Sequence, residues 1–487
     1  MIADELTYRI RQAFEFEPTK EQQHAINVFA RFMTDRNEQS LMILRGSAGT
    51  GKTAIASAMV RALKALKCKL VLLAPTGRAA KVFSINSGTA AYTIHRRIYR
   101  QKTAGDLSGF SLNANLASDT LFIVDEASMV ANQGYSDTSF GSGRLLDDLV
   151  QFVYNGRNCR MMLIGDKAQL PPVGEEESPA LIGGYMQGYG LATYECDLNE
   201  VLRQSIGSGI LWNATMIRSM IAHGEMTRLP KIRFAGFDDI KMVPGGELIE
   251  QLASSHSRVG IDETMVVTRS NKRANIYNNG IRAMVLGREE ELCSGDMVMI
   301  VKNNYFWTEQ AQQREKDPNA PTFLANGDRC VVRRVRNVRS MYGFRFADIT
   351  MQFPDYDDYE LTATVLLDSL QSESPSLTRE QTEMLYNAVM ADYADIPLKA
   401  DRLKALQKDV YYNAVQIKYA YAVTCHKAQG GQWAHIYVDQ GYMTDDMLNN
   451  DYIHWLYTAF TRATERLYLV NWPATQTETE SKETRNE

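Results

Sequence analysis

Eight residues carry the first chemistry legible in this 487-residue chain: Gly46, Ser47, Ala48, Gly49, Thr50, Gly51, Lys52 and Thr53. They fit G-x-x-x-x-G-K-[ST], directly after the apolar run LMIL (41–44) and ahead of an Ala- and Leu-rich stretch with helical spacing. The glycines let the backbone curl until its N–H groups converge on the β- and γ-phosphates, and the N-terminus of the following helix adds partial positive charge. Lys52 would bridge β- and γ-phosphate oxygens, and the Thr53 hydroxyl would coordinate Mg²⁺. ATP and Mg²⁺ are the expected cofactors.

A phosphate loop needs carboxylates at the end of a neighbouring strand, and FIVDEAS supplies two. Asp125 is placed to hold Mg²⁺ through its water shell, and Glu126 to orient and deprotonate an in-line water. The next apolar run leads into GDKAQLPPV (165–173), where Gln169 could sense the γ-phosphate and polarise that water. Its Pro171-Pro172 pair stiffens the connection.

The elements that must hold these groups follow from the apolar runs. LMIL, KLVLLA (69–74), TLFIVD (120–125) and RMMLIG (160–165) have the length and continuity of strands buried on both faces. Alternating with helical stretches, they predict an α/β lobe with a parallel sheet covered by helices. A second set, TMVVT (264–268), VQIKYAYAVT (415–424), HIYVD (435–439) and RLYLVN (466–471), predicts a second such lobe. Between them the pattern turns to strands without intervening helices, which reads as a small antiparallel barrel followed by a helical stretch from about 378 to 408. The expected division is 1–230 for the first lobe, 231–294 with 413–473 for the second, 295–412 for the insertion and 474–487 for a disordered tail.

The chain length suggests about three domains. Apolar residues at 45% and charged residues at 23% fit a soluble globular chain rather than a disordered or membrane one. Six well-separated cysteines form no metal or redox pair, and the N-terminus lacks a signal-like apolar core, so cytoplasm is the expected compartment, with no membrane association. The net charge of -5 conceals an asymmetry: residues 54–105 hold ten basic residues and no acid, leaving -15 on the rest. Such a window suits a phosphate backbone, and its Thr76, Arg78, Thr93 and His95 lie at a strand end and in loops, where they could hold phosphate or sugar without reading sequence. Arg61, Lys64 and Lys67 read as a solvated helix face.

The order of motifs resembles the superfamily 1B DNA helicases, particularly the RecD-like and Dda-like group, from about residue 19 to 470. PTKEQQHAI (18–26) resembles the Q motif, which implies that Gln22 reads the adenine edge. APTGRAAK (74–81) and TIHRRIY (93–99) are similar to motif Ia and the DNA-contact motif after it, DEAS (125–128) to motif II and GDKAQLPPV to motif III. LNEVLRQ (198–204) resembles motif IV and carries Arg203; AVTCHKAQG (422–430) resembles motif V; WLYTAFTRATERLYLV (455–470) resembles motif VI and carries Arg462. Arg203 and Arg462 could neutralise charge on the γ-phosphoryl oxygens as arginine fingers, although either alone reads as an ordinary surface or salt-bridge arginine.

The resemblance implies two RecA-like P-loop NTPase lobes, the second carrying an SH3-like barrel, and a monomer that binds single-stranded and duplex DNA. Thr424 and His426 would grip the strand from the second lobe, and movement would run 5′-to-3′. Residues 100–118 occupy the place of a strand-separating pin, with Phe110 as its candidate wedge. The stretch 131–148 has no assigned role. Two other readings stay open: an RNA or RNA–DNA helicase, since backbone grips do not exclude a 2′-OH, and a RecD-like ATPase subunit or remodeller that depends on a partner, including partners in recombination or repair.

Overall fold

The computed structural model describes residues 2–101, 110–134, 141–201, 207–225, 228–314, 321 and 323–478. Arg203, residues 102–109 of the pin-like stretch, the Phe110 side chain and residues 479–487 lie outside what is described.

The first lobe is a six-stranded parallel sheet. In spatial order its strands are Ala91–Thr93, Lys69–Ala74, Thr120–Val124, Arg160–Gly165, Ser40–Gly46 and Ala192–Leu198. Three of the runs read as two-face-buried strands are buried almost throughout, Thr120–Val124 along its whole length, whereas Lys69–Ala74 begins exposed and is buried only from Leu72 onward. Each fully buried Leu, Ile or Phe there contributes about 1.5–3 kcal/mol. Because the strands are parallel, the phosphate loop, the Asp125–Glu126 pair and the Asp166–Gln169 loop leave three adjacent strands at the same carboxyl edge.

The second lobe is a five-stranded parallel sheet of Ala422–Thr424, Thr264–Thr268, Trp433–Asp439, Ala463–Val470 and Ile240–Val243. Helix Gly209–His223, in the span expected for the first lobe, packs against this sheet: Ile210, Ala214 and Ile217 share a core with Ile240 and Met265, and Asp239 accepts from Gly209 N at 2.8 Å.

The insertion is a closed barrel of Met297–Ile300, Arg329–Met341, Phe344–Phe353, Tyr359–Leu366 and Val415–Tyr419, with helices Arg379–Asp392 and Lys399–Gln407 attached. The run 415–424 therefore divides between two sheets. Asn278 makes the break: its amide nitrogen donates to Tyr419 O and Ala422 O, and its amide oxygen accepts from Tyr421 N and Ala422 N. These bonds replace ladder bonds where the strand leaves the barrel. Buried Asp296 secures the same junction, pairing with Arg282 at 3.0 Å and Arg288 at 2.5 Å and accepting from Tyr421. Residues 474–478, placed in the expected tail, are ordered: Ala474–Gln476 forms a 3-10 turn whose buried Gln476 accepts from Ile232 N.

Among the described residues no helix is long and apolar enough to cross a membrane.

Candidate functional site: a phosphate cleft between the lobes

Strand Ser40–Gly46 ends in the phosphate loop, and helix Lys52–Ala65 starts immediately after it. Gly49 and Gly51 hold φ of +77° and +78°, the left-handed region that an L side chain enters at a cost. A Cβ on Gly46 would lie 2.6 Å from the Lys52 chain, so the loop closes tightly over its own lysine. Lys52 Nζ donates to Gly46 O. Gln22 is 1% exposed and has both amide atoms engaged: it caps its own helix through Thr19 and donates to Thr50 O at 3.0 Å. The structure thus gives Gln22 the task of bracing the loop and does not turn its amide toward an open adenine site.

A cleft of about 450 Å³ opens over this loop. Ser47, Ala48, Gly49, Gly51, Lys52, Thr53, Asp125, Glu126 and Gln169 face it from the first lobe, and Gln432, Thr461 and Arg462 from the second. Glu126 sits at φ +51°, a sharp turn that separates it from Asp125 and lets its N–H donate back to Asp125 Oδ1. Burial, reinforced by the Glu126 charge, pushes the Asp125 carboxyl up to about 7. Two adjacent acids in a partly dry cleft beside a hydroxyl form a donor set that a hard cation would relieve, so Thr53 and Asp125 fit Mg²⁺.

Gln169 is 4% exposed, and its amide oxygen has no hydrogen-bond partner among the described residues. A buried acceptor left open beside a phosphate loop is suited to hold a water or substrate proton. Arg462 is 2% exposed and forms no ion pair among the described residues; neutral acceptors satisfy it instead, namely Thr458 O, Gly431 O and Thr461 Oγ1. A buried guanidinium with no carboxylate is costly, and an arriving phosphate would offset that cost.

A buried link between the lobes is one that the motifs do not announce. The hydroxyl of Tyr457, itself 1% exposed, donates to Asp166 at 2.7 Å and accepts the loop N–H of Ala48 at 3.0 Å. On the same helix, Asn450–Phe460, Thr458 accepts from Leu170 N at 2.8 Å, and His454 donates from Nδ1 to Ala168 O at 2.9 Å. Gln429 donates to Leu170 O at 2.7 Å. The signal was available in the sequence: His454, Tyr457, Thr458 and Thr461 fall at helical spacing on one face of an otherwise apolar helix, a polar stripe that must meet polar partners.

The residues expected to hold a strand divide into two groups. Thr424 and the exposed His426 line a groove of about 520 Å³ opposite the Pro171–Glu176 loop, together with Arg269, Tyr452 and Trp455. Thr424 spends no side-chain bond on capping its helix. On the first lobe, Thr76 caps helix Gly77–Ser87, and Thr93, 8% exposed, caps helix Ile94–Ile98. His95 packs against Tyr99 and against Phe323 of the insertion, and burial lowers its pKa to about 4 against a small opposing effect of Asp148. Arg78 donates to Gln432 O at 2.6 Å and Lys81 to Pro354 O, so both basic residues of the motif Ia helix reach across to other parts of the chain. The two motifs nonetheless converge, since a Cβ on Gly430 would lie 3.0 Å from Thr76 Oγ1.

Residues 18–219 match a family model described as an AAA domain, and residues 419–470 match the UvrD-like helicase C-terminal domain. The chain is 22% identical over 436 residues to the ATP-dependent DNA helicase dda of Enterobacteria phage T4, covering 81% of this chain and 89% of that protein. It is 34% identical over 134 residues to the ATP-dependent RecD2 DNA helicase of Deinococcus radiodurans, covering 27% and 16%. The crystal structure of Bacteroides Pif1 bound to ssDNA superimposes loosely, with a TM-score of 0.47 and 16% identity over 96% of this chain and 95% of that one.

Proposed function

We propose that this chain is a helicase of the superfamily 1B, RecD-like and Dda-like group: an ATP-dependent DNA helicase that moves 5′-to-3′ on single strands and separates duplex DNA. One observation carries the reading: a phosphate loop, an acid pair and Gln169 on one lobe face a carboxylate-free buried arginine on the other. Lys52 and the loop N–H groups hold the β- and γ-phosphates. Glu126 accepts the proton of the attacking water, Gln169 orients that water, and Arg462 neutralises the charge that spreads over the γ-phosphoryl oxygens. Mg²⁺, held by Thr53 and Asp125, would supply charge neutralisation across the phosphates when bound. Arg203 is assigned as a second arginine of the same site on motif resemblance.

Motif III then transmits the event. Asp166 and Gln169 stand at the cleft, Leu170 is tied to Thr458 and Gln429, and residues 171–176 line the groove with Thr424 and His426. Closing or opening the lobes over nucleotide therefore moves one wall of that groove relative to the other. We assign this groove, with Thr76 on the first lobe, to the DNA backbone.

The reading is tested by ATPase assays with dT and rU oligonucleotides, with and without chelator. Strong stimulation by dT, lost with EDTA, is the expected result. Greater stimulation by rU would replace DNA with RNA.

A further inference from the structure

The strand-turn Gly430–Gly431–Gln432–Trp433 passes between the nucleotide cleft and the helix that follows Thr76. Two consecutive carbonyls on it hold two arginines. Gly431 O accepts from Arg462 Nη1 at 3.1 Å, and Gln432 O accepts from Arg78 Nη2 at 2.6 Å. Trp433 N then donates to Arg462 O at 3.0 Å. One peptide unit thus separates the arginine of the phosphate cleft from an arginine on the motif Ia helix.

The segment has little freedom to absorb a displacement. A Cβ on Gly431 would lie 2.3 Å from the Trp433 ring, and Gly430 holds φ +72° against Thr76 and Ala79. Arg78 lies over the Trp433 ring at 5.0 Å, while Arg329 from the barrel lies over the same ring at 5.5 Å. Arg329 is 6% exposed, and its Nε and Nη2 have no hydrogen-bond partner among the described residues. Burial and the nearby Arg78 pull its pKa down to about 10. Two guanidinium groups on one indole repel each other, and Glu263 at 3.4 Å and Asp355 at 3.9 Å from Arg78 offset part of that repulsion. A phosphate approaching the first-lobe face would draw Arg78 outward and relieve that repulsion. The Gln432 carbonyl would then lose its donor, and the peptide next to it sets the position of Arg462.

Building on the helicase reading above, we propose that Arg78 is a positioning residue that couples occupancy of the strand-binding face to the placement of Arg462 through the Gly431–Gln432–Trp433 backbone. It accounts for a basic residue of the motif Ia helix being spent on a carbonyl of the other lobe.

The test measures ATPase turnover without DNA and at saturating dT oligonucleotide, with the half-saturating dT concentration, for the unsubstituted chain, Arg78→Ala, Arg78→Lys and Trp433→Phe. Arg78→Ala should lower the ratio of stimulated to basal turnover by about tenfold while half-saturation moves less than about threefold. Arg78→Lys should restore the ratio in part, because an ammonium can reach the carbonyl without lying flat on the ring. Trp433→Phe, which keeps a ring, should hold most of it. The proposal is overturned if Arg78→Ala keeps the ratio and raises half-saturation, which would make Arg78 a plain DNA contact. It is overturned equally if basal and stimulated turnover fall together. Absence of stimulation in the unsubstituted chain would remove the helicase reading as well as the proposal built on it.

Discussion

Tyr457 and Asp166 meet across the two lobes through a 2.7 Å hydrogen bond, with the tyrosine hydroxyl also accepting the phosphate-loop N–H of Ala48. Both side chains are almost fully buried, at 1% and 2% exposure. The bond joins motif III, motif VI and the phosphate loop at a single oxygen. Any change at the γ-phosphate that moves Asp166 or Ala48 must therefore be felt by helix Asn450–Phe460, and through it by the groove holding Thr424 and His426.

Removing that oxygen while keeping the ring isolates the link. Tyr457→Phe should cost about 1–3 kcal/mol in urea unfolding, because it leaves a buried carboxylate short of a donor. It should also weaken the dependence of ATP turnover on DNA. Unaltered stability and unaltered stimulation together would show the contact to be incidental.

Lys52→Ala should abolish DNA-stimulated ATPase activity, because no other basic group shares the loop with it. Near-normal turnover would overturn the site assignment.

Arg462→Ala should slow hydrolysis by about a thousandfold while leaving nucleotide binding largely intact, as expected for an arginine that acts on charge developing in the transition state. Fluorescent-nucleotide titration beside steady-state turnover separates the two effects. Loss of binding with normal turnover at saturation would mark Arg462 as structural.

Asp296 is fully buried, and Arg282 is nearly so. Asp296→Ala strands two arginines at the barrel junction and should destabilise the chain by about 3–5 kcal/mol. Chemical denaturation checks this, and a loss below about 1 kcal/mol would contradict the junction's role.

His95 gives a pH dependence with a definite sign. Its folded pKa of about 4 lies below the ordinary histidine value, so between the two the unfolded chain binds more protons. Its contribution to stability is therefore intact above about pH 6.5 and falls by up to about 1.4 kcal/mol per pH unit down to about pH 4. His95→Gln should flatten that part of the stability–pH curve. An unchanged slope would place the acid sensitivity elsewhere.

Much of the architecture was legible because it is written locally. The central strands are continuous apolar runs, and three barrel strands, Arg329–Met341, Phe344–Phe353 and Tyr359–Leu366, follow one another without an intervening α-helix; helix Phe306–Arg314, between the first two barrel strands in the chain, has no apolar periodicity to announce it. The strands that escaped notice, Ala91–Thr93, Ala192–Leu198 and Ile240–Val243, are edge strands that keep exposed residues, so no apolar run announces them. The division of residues 415–424 between two sheets was hidden because it depends on Asn278, far away in the chain. The site follows the same rule. The phosphate loop and acid pair are contiguous motifs, whereas the Gln22 brace, the partners of Arg78 and the packing of His95 under Phe323 arise from contacts distant in sequence. The charge of the basic window suits a strand-binding face, yet its Arg78 and Lys81 donate to the carbonyls of Gln432 and Pro354, since charge counts do not reveal which basic side chains find carbonyls.

The central claim is that ATP turnover in this cleft drives 5′-to-3′ strand separation on DNA. A strand-displacement assay on duplexes carrying a 5′ or a 3′ single-stranded tail, run with ATP and Mg²⁺ and with Lys52→Ala as control, tests it most directly. The account predicts ATP-dependent displacement of the 5′-tailed substrate, little with the 3′ tail, and none with the Lys52 variant. Displacement that required a 3′ tail would contradict the polarity, and vigorous DNA-stimulated ATP hydrolysis without displacement of either substrate would contradict the helicase assignment.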